Sequence, residues 1–222
     1  MEGGTGVTKV IDKIRIVSNN GVCVSVGEVD LKIAIDDFGR EKYKGGQGLN
    51  EAEWCKLVRL AVGFLAKNYS FNLLSISAKS EAELKRRIEK KIDNWLFENK
   101  IGMDKNIIND IVCTNLDFLR EKKFVDDGAY VESMLRKYKN KSKKEIFFKL
   151  LSKGVDKNVI NKYMIDVDDR EKEAIRACIV KKTRGKNELD RDEKRKLLAS
   201  LYRKGFSIEL AKTEIDELTN NE

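Results

Sequence analysis

Gly154-Val155-Asp156-Lys157-Asn158-Val159-Ile160-Asn161 is nearly spelled twice in this chain. Its counterpart, Gly102-Met103-Asp104-Lys105-Asn106-Ile107-Ile108-Asn109, lies 52 residues earlier. A looser copy, Gly205-Phe206-Ser207-Ile208-Glu209-Leu210-Ala211-Lys212, lies 51 residues later. Glycine commonly ends a helix in the left-handed conformation, with an apolar residue after it packing back on the last turn. Asp104, Asp156 and Ser207 then have the right side chains to cap the next helix. A period near 50 residues predicts one supersecondary unit used three times.

Outward from these joints, helix starts are written in the same grammar. Ser80 with Glu83, Ser142 with Glu145, and Asp190 with Glu193 each place a capping residue three before a glutamate. A middle helix therefore runs from each box to its glycine, the first one longer, or interrupted, around Asp93–Lys100. The first helix of each triplet is expected at about 50–76 (Asn50 with Glu53, and Gly63 weakening its interior), from Asp126 or Asp127 to Tyr138, and from Asp168, boxed by Glu171, to Lys182. The connection from Thr183 to Leu189 is polar.

The first 49 residues read differently. Val10–Ile16 and Val22–Val26 are β-prone runs joined through Asn20-Gly21, a favourable hairpin pair. Leu31, Ile33 and Ile35 alternate with polar residues as a third strand would. Gly45, Gly46 and Gly48 close this small element. The expected organisation is a β-rich element over 1–49, then three-helix modules over 50–124, 125–166 and 167–222.

Composition narrows the function classes. The 222 residues are 41% hydrophobic and 37% charged, with no histidine and no proline. Lacking histidine removes the commonest general acid–base and the commonest transition-metal ligand. Cys23, Cys55, Cys113 and Cys178 are scattered, without zinc-site or disulfide spacing, as in a reducing cytoplasm. No apolar run approaches the ~20 residues of a membrane span. The Met1–Gly6 stretch lacks the regions of a signal peptide. Net charge is +8, and residues 1–50 balance seven basic against seven acidic groups. The helical body thus carries the whole excess, which suits a polyanionic partner.

Three kinds of candidate site remain. The acidic pairs Asp36-Asp37, Asp126-Asp127 and Asp168-Asp169 have the chemistry of Mg²⁺ ligands, but the last two sit where helices begin and carboxylates cap amides. Basic clusters recur on the middle helices: Lys85, Arg86 and Arg87; Lys139, Lys141, Lys143 and Lys144; Arg195, Lys196, Arg203 and Lys204. Together they suggest a stripe able to neutralise phosphates. Phe147, Phe148, Trp95, Phe97, Phe118 and Phe206 have rings that could stack on bases, although their spacing among Leu and Ile is that of a core. Helix–Gly–helix joints also admit a helix-turn-helix reading. No phosphate loop, nucleophile constellation or metal-spaced cluster is evident, so neither an enzyme nor a cofactor is expected.

Ordered motifs carry a resemblance. Ala66–Ser75, followed by Lys79-Ser80-Glu81-Ala82-Glu83-Leu84, looks like the opening helix and Arg-Ser-x-x-Glu-Leu signature of the RecX family. Phe124–Val131 is similar to its apolar-Asp-Asp-x-x-Phe-Ala segment. Ile146–Val155 resembles Ile-x-x-Glu-Leu-x-x-Lys-Gly-Ile, and Leu201–Phe206 its Arg-Arg-Gly-Phe. The resemblance covers residues 66–218 and implies tandem three-helix modules in an elongated, curved, right-handed-type array. It further implies a monomeric, non-enzymatic regulator that binds the RecA filament on single-stranded DNA. Such a regulator would damp ATP hydrolysis, recombination and the SOS coprotease during DNA repair. The rival expectations are a direct DNA-binding repeat protein acting without RecA and, further off, a Mg²⁺-dependent nuclease.

Overall fold

The computed structural model describes residues 9–18, 20–165, 168–186 and 188–219. The opening hexapeptide, the Asp168 side chain expected to cap a helix, and Asn187 lie outside the described residues. The fold is mainly helical, with a small β element at its N-terminal end. The chain divides into two units, Met1–Lys79 with Glu83–Val125, and Ser80–Ala82 with Asp126–Glu222.

In the first unit, alternation of apolar residues builds a four-stranded antiparallel sheet in the order β3-β2-β1-β4. The strands are β1 (Lys9–Ser18), β2 (Gly21–Val26), β3 (Val29–Ala34) and β4 (Gly48–Leu49). Val22 pairs with Ile33 and Val24 with Leu31, so one face presents four fully covered aliphatic side chains. They share a core with Leu57, Val58, Ala61 and Val62 of helix α2 (Glu51–Ile76). Leu84, Ile88 and Ile92 of α3 (Glu81–Glu98) and Val112, Leu116 and Leu119 of α4 (Lys105–Glu121) join the same core. These sit three or four residues apart, the spacing of one buried helical face. A buried polar pair also ties α2 to α4: Asn115 Nδ2 donates to Ser70 Oγ, which donates to the Ala66 carbonyl, each at 2.7 Å.

Two expectations need correction here. Ile35 does not extend the third strand but opens a short helix, α1 (Ile35–Glu41), whose first turn holds Asp36 and Asp37. Carboxylates there favour the helix dipole, and Asp37 also pairs with Arg40. Gly21 belongs to β2, paired with Ser18, where a Cβ would press on the tip of the Phe64 ring at 2.9 Å. Of the two alternatives for the first middle helix the longer one holds, since α3 is continuous through Asp93, and α2 runs on through Gly63.

The second unit holds α5 (Asp127–Lys137), α6 (Lys143–Ser152), α7 (Lys157–Tyr163), α8 (Asp168–Thr183), α9 (Arg191–Arg203) and α10 (Ile208–Thr219). Each triplet has its own core. Val131, Ile146, Leu150, Val155 and Ile160 centre the first, and Ile175, Leu197, Leu201, Phe206 and Ile215 the second. Both acids of the Asp126-Asp127 pair serve backbone amides. Asp126 accepts the Ala129 N–H at 3.0 Å and Asp127 the Glu81 N–H at 2.9 Å. Burial pushes the Asp127 carboxyl above its ordinary range.

The repeated joints do two jobs. Gly154 (φ +78°) and Gly205 (φ +82°) are left-handed caps. Past them, the Val155 N–H returns to Leu150 O and the Phe206 N–H to Leu201 O, both at 3.2 Å. Each corner also seats the first turn of another helix. Ser80 Oγ donates to Lys153 O at 2.5 Å, and Ser142 Oγ to Lys204 O at 2.7 Å. A Cβ on Gly154 would stand 2.5 Å from Ala82 Cβ, and one on Gly205 3.1 Å from Ser142 Oγ. The expected cap at Gly102 is displaced. After α3 the left-handed residue is Lys100 (φ +54°), and the Ile101 N–H returns to Leu96 O at 2.9 Å. Lys100 therefore matches Gly154 and Gly205, and two extra residues separate it from the cap Asp104.

Gly154→Ala should cost at least the ~1–2 kcal/mol of a left-handed non-glycine residue, with the Ala82 contact added. Gly102→Ala should shift thermal unfolding by much less, and equal losses in the two variants would contradict the assignment. A second expectation concerns acid. The backbone N–H of Glu193 depresses the Asp190 carboxyl, and that of Asp190, aided by Lys186, depresses Glu193. Their contribution is present above the ordinary carboxylate range and lost as pH falls through the depressed folded-state values. Asp190→Asn should flatten the acid limb of a stability–pH curve, and an unchanged limb would count against this account.

Candidate functional site

The sequence-predicted cations fall in three places. Lys85, Arg86 and Arg87 lie on α3 of the first unit. Lys85 reaches Asn109 Oδ1 at 3.1 Å, Arg86 is exposed, and Arg87 holds the buried Glu83 at 3.0 Å. In the second unit, Lys139 and Lys141 lie in the α5–α6 connection and Lys143 and Lys144 in the first turn of α6. Arg195 and Lys196 lie near the start of α9, and Arg203 and Lys204 at its end. Arg195 pairs with Asp192 at 3.3 Å and lines a separate cleft with Asp216 and Lys212.

The joint at Gly205 brings the start of α6 to the end of α9. Lys144, Arg203 and Lys204 thereby line one cleft with Phe148 and Tyr202. Its two confluent parts measure 430 and 920 Å³. The larger part continues to Met164, Ile165 and Ile208, with Glu171 and Glu209 also on its wall. One carboxylate, Glu145, lies at the basic end, and Lys141 (3.1 Å) and Lys149 (3.6 Å) already hold it. No ion pair engages Lys144 or Arg203 among the described residues.

Aromatic placement departs from the core pattern. Phe206 is buried, Phe147, Trp95 and Phe118 are half-buried, and Lys67 covers the Phe118 ring at 4.5 Å. Phe148 is 57% exposed, Phe97 85% and Tyr202 61%. Tyr202 did not stand out in the sequence, although the signal was there. On α9 the buried stripe is Leu197, Ser200 and Leu201, which leaves Tyr202 off the apolar face. Likewise Ile146 and Leu150 claim the buried face of α6 and leave Phe148 outside it.

The first unit contains a larger cavity, 1060 Å³, walled by Val10, Trp54, Val58, Ile101, Met103 and Ile107. Three of its four lining cations are engaged in pairs, Lys9 with Glu51, Lys56 with Glu41 and Arg59 with Asp110, and Lys100 is the fourth. Its aromatic side chain, Trp54, is buried, so it lacks the open rings that mark the α6–α9 cleft. Among the described residues, no three cysteine or carboxylate side chains converge as a metal site. No described helix is long and apolar enough to cross a membrane.

Residues 168–213 match the model of the third three-helix domain of RecX. The regulatory protein RecX of Streptococcus pneumoniae strain CGSP14 is 28% identical over 196 residues, covering 86% of this chain and 70% of that protein. That of Staphylococcus haemolyticus is 26% identical over 216 residues, covering 94% and 75%. Along most of its length, then, the chain is similar to RecX proteins. It spans 62% of the length of the RecX of S. pneumoniae strain G54, at 28% identity over 77% of this chain. A crystal structure of regulatory protein RecX superposes with a TM-score of 0.63 at 19% identity, covering 96% of this chain and all of the other. RecX from Lactobacillus salivarius gives 0.55 at 24% identity, covering 71% and 96%. These likenesses establish the RecX fold.

Glu145→Gln should release Lys141 and Lys149 and add one net positive charge at the cleft. The variant should elute from immobilised heparin at higher salt than the parent chain. Elution at the same or lower salt would mean that Glu145 does not hold back the local field.

Proposed function

We propose that this chain is a non-enzymatic regulator that binds the RecA filament on single-stranded DNA. Binding opposes filament growth or favours disassembly, and so damps RecA ATP hydrolysis, strand exchange and SOS coprotease activity. Likeness to RecX proteins supports this reading, and the observation that carries it is the α6–α9 cleft, where Lys144, Arg203 and Lys204 gather on an accessible surface. A filament offers both acidic protein surface and phosphates, and opposed charge steers two such surfaces into register. No constellation for chemistry is needed for this task. The regulator acts in the cytoplasm as a monomer that the filament, and not a second copy, completes.

Lys144→Glu, Arg203→Glu and Lys204→Glu together should weaken co-sedimentation with RecA–ATP–single-stranded-DNA filaments by at least about tenfold. The same triple variant should relieve the effect on RecA ATPase while keeping the parent circular dichroism. Unaltered pelleting by a folded triple variant would remove the cleft from the partner surface. A parent chain that neither pellets nor alters the ATPase would end the proposal.

A further inference from the structure

We infer that the cleft between α6 and α9 stacks unpaired nucleobases on Phe148 and Tyr202 while Lys144, Arg203 and Lys204 hold the flanking phosphates. It rests on the filament reading for the source of the strand, and it names which component of the filament enters this cleft. Two large aromatic side chains more than half exposed on one cleft form an apolar patch rimmed by charge, the kind that marks a binding groove. Both line the same cavity. Lys144 stands one helical turn before Phe148 on α6, and Arg203 lines the same cleft as Tyr202. Rings interleaved with cations match a strand that alternates bases with phosphates, because every base offers a π-face and every linkage one negative charge.

Charge argues against an ordinary apolar protein segment as the occupant. The basic end sets three cations against Glu145, and that carboxylate is taken up by Lys141 and Lys149. The Phe148 ring is braced edge-on by Phe147, with centroids 5.8 Å apart and planes at 84°. Bracing of this kind fixes a platform before the ligand arrives and lowers the ordering cost of binding. A double-stranded helix keeps its bases stacked internally, so the site favours single strands.

The test uses the whole chain and a thymidine oligonucleotide carrying one 2-aminopurine, whose fluorescence falls when it stacks on a ring. Saturable quenching is expected with the parent chain and with Tyr202→Phe, which keeps the ring. Phe148→Ala and Tyr202→Ala should each weaken binding by roughly 5- to 100-fold, whereas Phe97→Ala, on α3, should not. Salt should weaken all of it. Absence of quenching, or equal quenching by a folded Phe148→Ala/Tyr202→Ala double variant, overturns the inference. Filament co-sedimentation run in parallel separates the two claims. If the double variant stops pelleting although the parent never quenches, the cleft seats a protein segment, base stacking is wrong and the filament reading survives. If the parent quenches but never pellets with filaments, stacking stands and the filament reading fails.

Discussion

Everything in the second unit hangs on one hydroxyl per joint. Ser142, fully buried, accepts the Glu145 N–H at 3.2 Å and donates to Lys204 O at 2.7 Å. A helix N-terminus has spare donors and a helix C-terminus spare acceptors. Serine joins the two because it is donor and acceptor at once. The joint closes only if the backbones come near enough, which is why the corner residue has no side chain. Glycine thus supplies both the left-handed turn and the room for the neighbouring helix.

The same logic sets the third middle helix apart. At the third middle helix the capping residue is Asp190, whose carboxylate accepts from the Glu193 N–H at 2.7 Å but, ionised, has no proton to give a carbonyl. Lys186 closes over the reciprocal glutamate at 3.0 Å. At the other end, the corner after α3 carries Lys100 in place of glycine.

Much of this was legible in advance. Asn50 with Glu53 and Asp190 with Glu193 form reciprocal capping boxes in the structure, because such boxes depend on residues three apart. The serines' second bonds were not legible, since their partners lie 73 and 62 positions away. Matching Gly102 to Gly154 was a slip of two residues. Local likeness cannot distinguish a glycine that turns the chain from one that follows the turn. Ile35 continued an alternating pattern and yet folded as helix, because Asp36 and Asp37 suit a first turn better than a strand. At the candidate site the cations were visible but their grouping was not. Lys144 and Arg203 meet only because α6 begins where α9 ends, and Phe148 and Tyr202 became informative once burial had claimed their neighbours.

The second unit includes Ser80–Ala82, three residues that the first unit's chain runs through on both sides. A polypeptide cut at the Val125–Asp126 bond would therefore not yield two self-sufficient pieces. The C-terminal piece would keep its cores but lose the Ser80 hydroxyl from Lys153 O, the Glu81 amide from Asp127, and the Ala82 methyl from the Gly154 corner. The start of α5 and the corner after α6 would each lose a contact they hold in the whole chain. A fragment that keeps these contacts must start upstream of Ser80, and one of the three boundaries, Ala82–Glu83, falls inside α3 and not in a loop.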